Sequence, residues 1–166
     1  MGVDIFWRRI PEQAVRGLPP KELSDLVPYW FDEDFATLRE AGLLVAGEDT
    51  CGLVGALFLH GTAGGPHAGL AKWLAAGPPQ WDDDHAVGAL SADFVRRAAD
   101  FLAEAPIDDW VVEHREALAA AARSMGYRRP FDDEWCDQVR RDAHELAALF
   151  LAAAERGEAV IEKIAA

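Results

Sequence analysis

A glycine-rich segment from His60 to His67 reads HGTAGGPH and has the residue types most suggestive of chemistry. Free backbone amides in such a loop can hold an anion, and two imidazoles can exchange protons or bind a metal. A P-loop would end in Gly-Lys-Ser or Gly-Lys-Thr, and the dinucleotide fingerprint is also missing. The candidate ligand-binding residues are His60, Thr62 and His67, and a plain structural loop is the simpler interpretation.

A second polar segment, Trp81 to His85, reads WDDDH and offers ligand types for hard cations and for zinc. Consecutive loop residues rarely all point at one ion, and this spacing is not that of an EF-hand loop. The pattern therefore favours a solvated loop over a metal site. Trp81 remains a candidate wall for a cleft at the glycine-rich segment.

Two partial catalytic motifs fail on spacing. His144-Glu145 begins like the zinc-protease helix motif, but Ala148 stands where the second histidine is required. Cys51 at a helix start could be a low-pKa thiolate with His60 as its base. Nine residues of helix would separate the two by about 13 Å on opposite faces, so a buried, reduced cysteine is favoured. We therefore predict no catalytic residue, no metal and no cofactor.

Arg128-Arg129 precedes a long predicted helix, where basic charge and free helix amides come together. Such a place could accept a carboxylate or a phosphate. The acidic residues at 132–134 compete for both, so an internal ion network is the alternative. Tyr127 and Trp135 would supply an aromatic wall if a pocket exists there, although the same residues could serve the core.

The charge is strongly negative and unevenly placed. The net charge is −13, and the segment from Glu22 to Asp93 holds 12 acidic residues against only Arg39 and Lys72, which is −10 of that total. Such a field repels a phosphate backbone and excludes nucleic acid as the expected partner. It could suit a basic protein partner, although solubility alone would also explain it.

Length and hydropathy predict one domain, residues 1–166, in a cytoplasmic protein that is a monomer or a small homo-oligomer. The longest apolar run, Leu53 to Leu59, is too short to span a membrane. The first residues do not have the pattern of a signal peptide. The two cysteines lie far apart, and reduced thiols are expected.

The last third of the chain is predicted to form a long helix and a terminal strand against which the rest of the chain packs. Apolar residues at steps of three and four predict one long helix after Pro130, ending at Gly157. The terminal strand Ala159–Ile164 follows it, and Val3–Arg9 and Ala86–Leu90 are the other predicted strands. Fold class is therefore mixed α/β and helix-rich, with a small sheet of about three strands packed between seven or so helices.

The remaining helices are predicted from caps and periodicity. Asp32 is expected to cap a helix over 33–41, and Asp49 or Thr50 is expected to cap a buried helix over 51–59, for which a strand is the alternative. Ser91 opens the cleanest amphipathic helix, which Pro106 ends. A further helix is expected over 108–124, with His114 on its apolar stripe.

From Leu57 onward the chain has a recognisable order of features: the segment LFLHGT, Gly88 with the turn before Phe94, Tyr127-x-x-Pro130 with Trp135, a long helix, and the terminal GEAVI. This order resembles the YfbM-like family, a bacterial family of unknown function. It implies a single mixed α/β domain with a small sheet between helices. The chain departs from the family pattern at 49–52, where a tryptophan is usual, and at Val87, where an aromatic residue often stands. The family offers no catalytic residues to transfer.

Two hypotheses about function follow. The first is a non-catalytic binding domain whose acidic face meets a basic protein, as an immunity-type inhibitor would. The second is a small-molecule-binding protein or hydrolase with a cleft at the His60–His67 loop. Histidines that converge with the acidic loop in one cleft would favour the second, and scattered histidines beside an acidic face would favour the first.

Overall fold

The sheet is built around the two ends of the chain. In the computed structural model, which describes residues 4–48, 50–78 and 80–165, strand β1 (Asp4–Pro11) pairs antiparallel with β5 (Glu158–Ala165). The register runs from Asp4 opposite Ala165 to Pro11 opposite Glu158, so both strands pair along their full length. The first and last predicted strands therefore share one sheet. Val3, the predicted start of the first strand, lies outside the described residues.

Three shorter strands complete an antiparallel sheet in the order β2-β1-β5-β4-β3. They are β2 (Leu44–Gly47), β3 (Trp81–Asp82) and β4 (Val87–Leu90). The expected count of about three strands is wrong, because β2 and β3 were not predicted. Both are edge strands, and segments of four and two residues are too short to show a strand period.

Helices account for most of the remaining chain, and the mixed α/β, helix-rich class is confirmed. They are α1 (Glu12–Val15), α2 (Pro20–Asp25), α3 (Glu33–Glu40), α4 (Cys51–Gly61), α5 (Ala68–Ala76), α6 (Ala92–Glu104), α7 (Ile107–Glu113), α8 (Arg115–Ser124) and α9 (Asp133–Arg156). No helix in the described ranges is long and apolar enough to cross a bilayer.

Two helix predictions differ from the structure. The single helix expected over 108–124 is two helices, α7 and α8, because His114 has φ −102° and ψ 16° and interrupts the turn. The expected loop after His60 is shorter, since α4 continues through Gly61 and α5 begins at Ala68. The strand alternative for residues 51–59 is wrong.

Side chains at the helix ends explain where the main helices begin and stop. The hydroxyl of Ser91 accepts from the Phe94 amide at 3.3 Å, and Asp132 accepts from the Trp135 amide at 3.1 Å. Gly157 ends α9 in the left-handed conformation at φ 64°. Asp32 does not cap α3 as expected, because its carboxylate accepts from the Tyr29 amide at 2.7 Å.

The start of α4 also differs from the expectation. Asp49, one of its two expected caps, lies outside the described residues. The hydroxyl of Thr50 donates to the Glu48 carbonyl at 3.1 Å and to the carboxylate of Asp142, so it does not cap the helix.

The sheet separates two apolar layers because successive side chains of a strand point to opposite faces. On β1, Ile5 and Trp7 pack into the larger cluster with α4 to α9, whereas Phe6 and Ile10 pack into a smaller one with α1 to α3. Helix α9 covers the larger face, burying Val139, Leu146 and Phe150 among others. This arrangement places the N-terminal half of α9 beside β2 and the start of α4, where a cleft opens.

Candidate ligand-binding cleft

A cleft of about 450 Å³ lies between the N-terminal half of α9 and the segments around α3, β2 and the start of α4. This volume is in the range typical of small-molecule sites. Aromatic, charged and polar side chains line it together with the chain at 46–48: Trp30, Arg39, Glu48, Thr50, Arg129, Glu134, Trp135, Gln138 and Asp142.

One wall belongs to α9. Trp135, Gln138 and Asp142 follow at steps of three and four, so they lie on one face of the helix. The Trp135 ring packs against Tyr127 at 5.1 Å and against Phe131 at 6.0 Å between centroids. These contacts hold the indole in place, and its Nε1 is buried without a hydrogen-bond partner in the part of the chain that the structure describes.

Trp30, which precedes α3, also lines the cleft. Its indole Nε1 donates to Asp4 Oδ2 at 2.9 Å, which ties it to the first residue of β1. Its ring contacts Phe35 at 4.9 Å and Phe6 at 5.4 Å between centroids. Both tryptophans of the cleft are therefore held by neighbouring aromatic rings before any ligand binds.

The carboxylate of Asp142 lines the cleft and accepts hydrogen bonds from two neutral donors. Gln138 Nε2 donates to its Oδ1 at 2.7 Å, and the hydroxyl of Thr50 donates to its Oδ2. A carboxylate oxygen can accept two hydrogen bonds, so each oxygen keeps one lone pair for a further donor.

The two arginines at the rim already carry ion pairs. Arg129 contacts Asp132 at 3.2 Å and also contacts Glu134. Both hydrogen bonds raise the pKa of its guanidinium, and the bond to Glu134 has the larger effect. Arg39 lies 3.8 Å from Glu145. The internal ion network that was the alternative at Arg128-Arg129 is therefore present at Arg129, while Arg128 is exposed.

Cys51 lies beneath the cleft and cannot serve as a ready nucleophile. Its thiol donates to the Gly47 carbonyl at 2.6 Å, and burial raises its pKa to about 12. The thiol is therefore protonated at neutral pH, in agreement with the expectation of a buried, reduced cysteine.

The glycine-rich loop borders a different cleft of about 250 Å³, lined by Thr62, His67, Phe101 and Trp110 among others. The Thr62 hydroxyl donates to the Phe58 carbonyl at 2.7 Å, so it serves the helix end. His67 packs on Phe101, with 5.2 Å between ring centroids, and borders the cleft.

The remaining histidines are dispersed. His60 stacks on His114 at 5.9 Å, and His85 contacts Asp82 at 2.9 Å in the turn between β3 and β4. Trp81 lies on β3 at the edge of the sheet, beside Gly77 and Gly88. Within residues 4–48, 50–78 and 80–165, no group of three or more histidine, cysteine or acidic side chains could hold a metal ion.

Of the residues predicted near the start of α9, Arg129 and Trp135 line the cleft, and Tyr127 packs against Trp135. Trp30, Thr50 and Asp142 also line it and were not among the predicted ligand-binding residues. The face shared by Trp135, Gln138 and Asp142 is readable from helical spacing. Trp30 and Thr50 come from distant segments and gave no local signal. Comparison of the chain with protein-family models, curated proteins and solved structures found no match.

Proposed function

We propose that this protein is a non-catalytic binding domain that docks a basic protein partner. The observation that carries the proposal is Phe31, whose side chain is 99% exposed in the segment before α3. Tyr29, two residues earlier, is 43% exposed, and three acidic residues, Asp32–Asp34, follow directly. Aromatic side chains surrounded by polar groups are typical anchors of protein interfaces.

Phe31 belongs to an acidic face that we define by eight carboxylates. They are Glu22 and Asp25 of α2, residues 32–34 at the start of α3, Asp82 at the end of β3, and Asp83 and Asp84 in the turn that follows. Asp25 and Asp32 both interact electrostatically with Lys163, and His85 interacts with Asp25. These interactions indicate that α2, the start of α3 and the turn after β3 lie near one another. Such a field accelerates encounter with a positively charged partner.

A buried lysine holds the segment that leads to Phe31. Lys163 Nζ donates to the Ser24 and Val27 carbonyls, each at 2.9 Å, and lies 3.8 Å from the centroid of the Tyr29 ring. Burial lowers the pKa of Lys163, and the carboxylates of Asp32 and Asp25 oppose that change. The anchor is thus presented on an ordered segment, which reduces the entropy lost on docking.

The placement of the histidines supports binding over hydrolysis at the glycine-rich loop. The Thr62 hydroxyl donates to the Phe58 carbonyl, and His60 and His67 contact different rings.

Membership of the YfbM-like family is also a proposal, and it rests on the sequence pattern from Leu57 onward.

Parallel affinity capture with three forms of the protein tests the proposal. Wild type, Phe31→Ala and Val112→Ala are immobilised, and Val112 is the matched control because it is apolar, 72% exposed and located on α7. We expect wild type and Val112→Ala to capture a basic protein that Phe31→Ala does not capture. The purified basic protein should likewise bind wild type and Val112→Ala but not Phe31→Ala. Equal recovery of every captured protein on all three forms would contradict the proposal.

A further inference from the structure

We propose that the cleft between Trp30 and Trp135 binds a guanidinium group, with the carboxylate of Asp142 as its counter-ion. Phe31 does not line this cleft, and the docking proposal above makes no use of it. Either proposal can therefore fail without the other.

The charge at the cleft favours a cation. Arg39 and Arg129 line it, but each is already paired with carboxylates. Among the described residues, the Asp142 side chain accepts hydrogen bonds from the neutral groups of Thr50 and Gln138. Its charge is therefore available to a ligand, and the exposed carboxylate of Glu48 adds to it at the rim.

The geometry of Asp142 favours a guanidinium over an ammonium ion. One hydrogen bond on each of its oxygens leaves one acceptor position on each. A guanidinium offers two parallel N–H donors and can occupy both positions at once. An ammonium ion is a point charge that does not match such a pair of positions in one plane.

The aromatic walls favour the same ligand. Guanidinium planes stack on indole rings, which are the strongest cation–π partners among side chains. Trp30 and Trp135 both line the cleft and are fixed by their aromatic neighbours. At about 450 Å³ the cleft has room for more than the guanidinium, such as the carbon chain of an arginine.

The guanidinium could belong to a free small molecule or to an arginine side chain of a peptide. Agmatine represents the first source, and the pentapeptide Gly-Gly-Arg-Gly-Gly represents the second. Tighter binding of agmatine would identify a free guanidino compound, and tighter binding of the pentapeptide would identify a protein side chain. Both results require saturable binding in the cleft and therefore support the inference.

The experiment follows the indole N–H signals of Trp30 and Trp135 by nuclear magnetic resonance, assigned with Trp30→Phe and Trp135→Phe. Nα-acetyl-arginine methylamide is titrated beside the neutral, equally planar citrulline analogue and beside inorganic phosphate. We expect the arginine compound to shift both signals saturably and the other two to leave them in place. Equal binding of the citrulline compound, tighter binding of phosphate, or no saturable shift would overturn the inference.

Substitution of the carboxylate gives the matched comparison. Asp142→Asn keeps an acceptor for the Thr50 hydroxyl but removes the charge, and Asp137→Asn removes an exposed charge on the same helix. We expect Asp142→Asn to weaken binding by about tenfold or more and Asp137→Asn by less than about twofold. Glu48→Gln, at an exposed position, provides a second variant and should weaken binding by about threefold, as expected for an exposed charge pair. Equal affinities for wild type, Asp142→Asn and Glu48→Gln would refute the assignment.

Discussion

Trp7 of β1 lies directly opposite Glu162 of β5, in the middle of the sheet and on its larger apolar face. Both side chains are buried, and neither Trp7 Nε1 nor Glu162 Oε2 has a hydrogen-bond partner within the described ranges. Burial raises the pKa of Glu162 to about 8. The core thus contains a carboxyl group that is protonated at neutral pH.

This burial predicts a loss of stability as the pH rises from about 4.5 to about 8. The folded state keeps the Glu162 proton up to about pH 8, whereas the unfolded chain releases it near the ordinary pKa of 4.5. The contribution of Glu162 is fully present below the lower value and is lost as the pH rises through the higher one. We expect Glu162→Gln to match wild type at about pH 5 and to be several kcal/mol more stable at about pH 9.

Urea denaturation at the two pH values measures that difference. Glu155→Gln is the control, because Glu155 is exposed near the end of α9 and its substitution should leave the free energy of unfolding unchanged at both. A constant difference between wild type and Glu162→Gln across the pH range would show that the folded protein accommodates the ionised carboxylate.

The ion pair between Arg9 and Glu158 should contribute far more to stability than a surface pair. Arg9 is buried, lies 2.6 Å from Glu158 and donates to the Gly42 carbonyl at 2.8 Å. Removal of the carboxylate strands a buried guanidinium, so Glu158→Gln should lower the free energy of unfolding by about 3 kcal/mol. Asp25→Asn, which breaks the exposed pair with Lys21, should change it little. Similar midpoints of thermal unfolding for the two variants would contradict this account.

Replacing a helical glycine by alanine should change the free energy of unfolding in opposite directions at Gly61 and Gly69. A Cβ at Gly61 would lie 2.3 to 2.5 Å from the Trp110 ring, whereas a Cβ at Gly69 meets nothing within 4 Å. Gly61→Ala must displace a packed indole, which should cost about 1 to 3 kcal/mol of unfolding free energy. Gly69→Ala should add about 0.5 to 1 kcal/mol, since alanine favours the helix. Denaturant melts of both variants check the signs, and a stabilised Gly61→Ala would be the contrary result.

Long periodic elements were accessible from sequence. The stripe along α9, the Ser91 cap and Gly157 each have a local signal, and the structure has all three. The break at His114 had none, because the apolar stripe continues across it from Val111 to Leu118. Whether such a stripe folds as one helix or two depends on the surrounding packing, which periodicity does not contain.

The cleft could be predicted only in part from the sequence, for a related reason. Arg129 and Trp135 are close in sequence, so their proximity could be predicted. Trp30 reaches the same cleft because its indole is tied to Asp4 and its ring to Phe35. The contact with Asp4 depends on how distant segments pack together, and no local pattern specifies it. Exposure is equally hidden, since Phe31 has the same residue type as the buried Phe35.

The most direct test of the docking account is the affinity of the captured basic protein for wild type and for Phe31→Ala at two salt concentrations. We predict that Phe31→Ala weakens binding by about tenfold or more at either concentration, because an anchor is removed. We also predict that a change from about 50 mM to about 500 mM salt weakens binding by slowing association, because the attraction of the acidic face is screened. An affinity that is insensitive both to salt and to Phe31→Ala would contradict the claim that this face docks the partner.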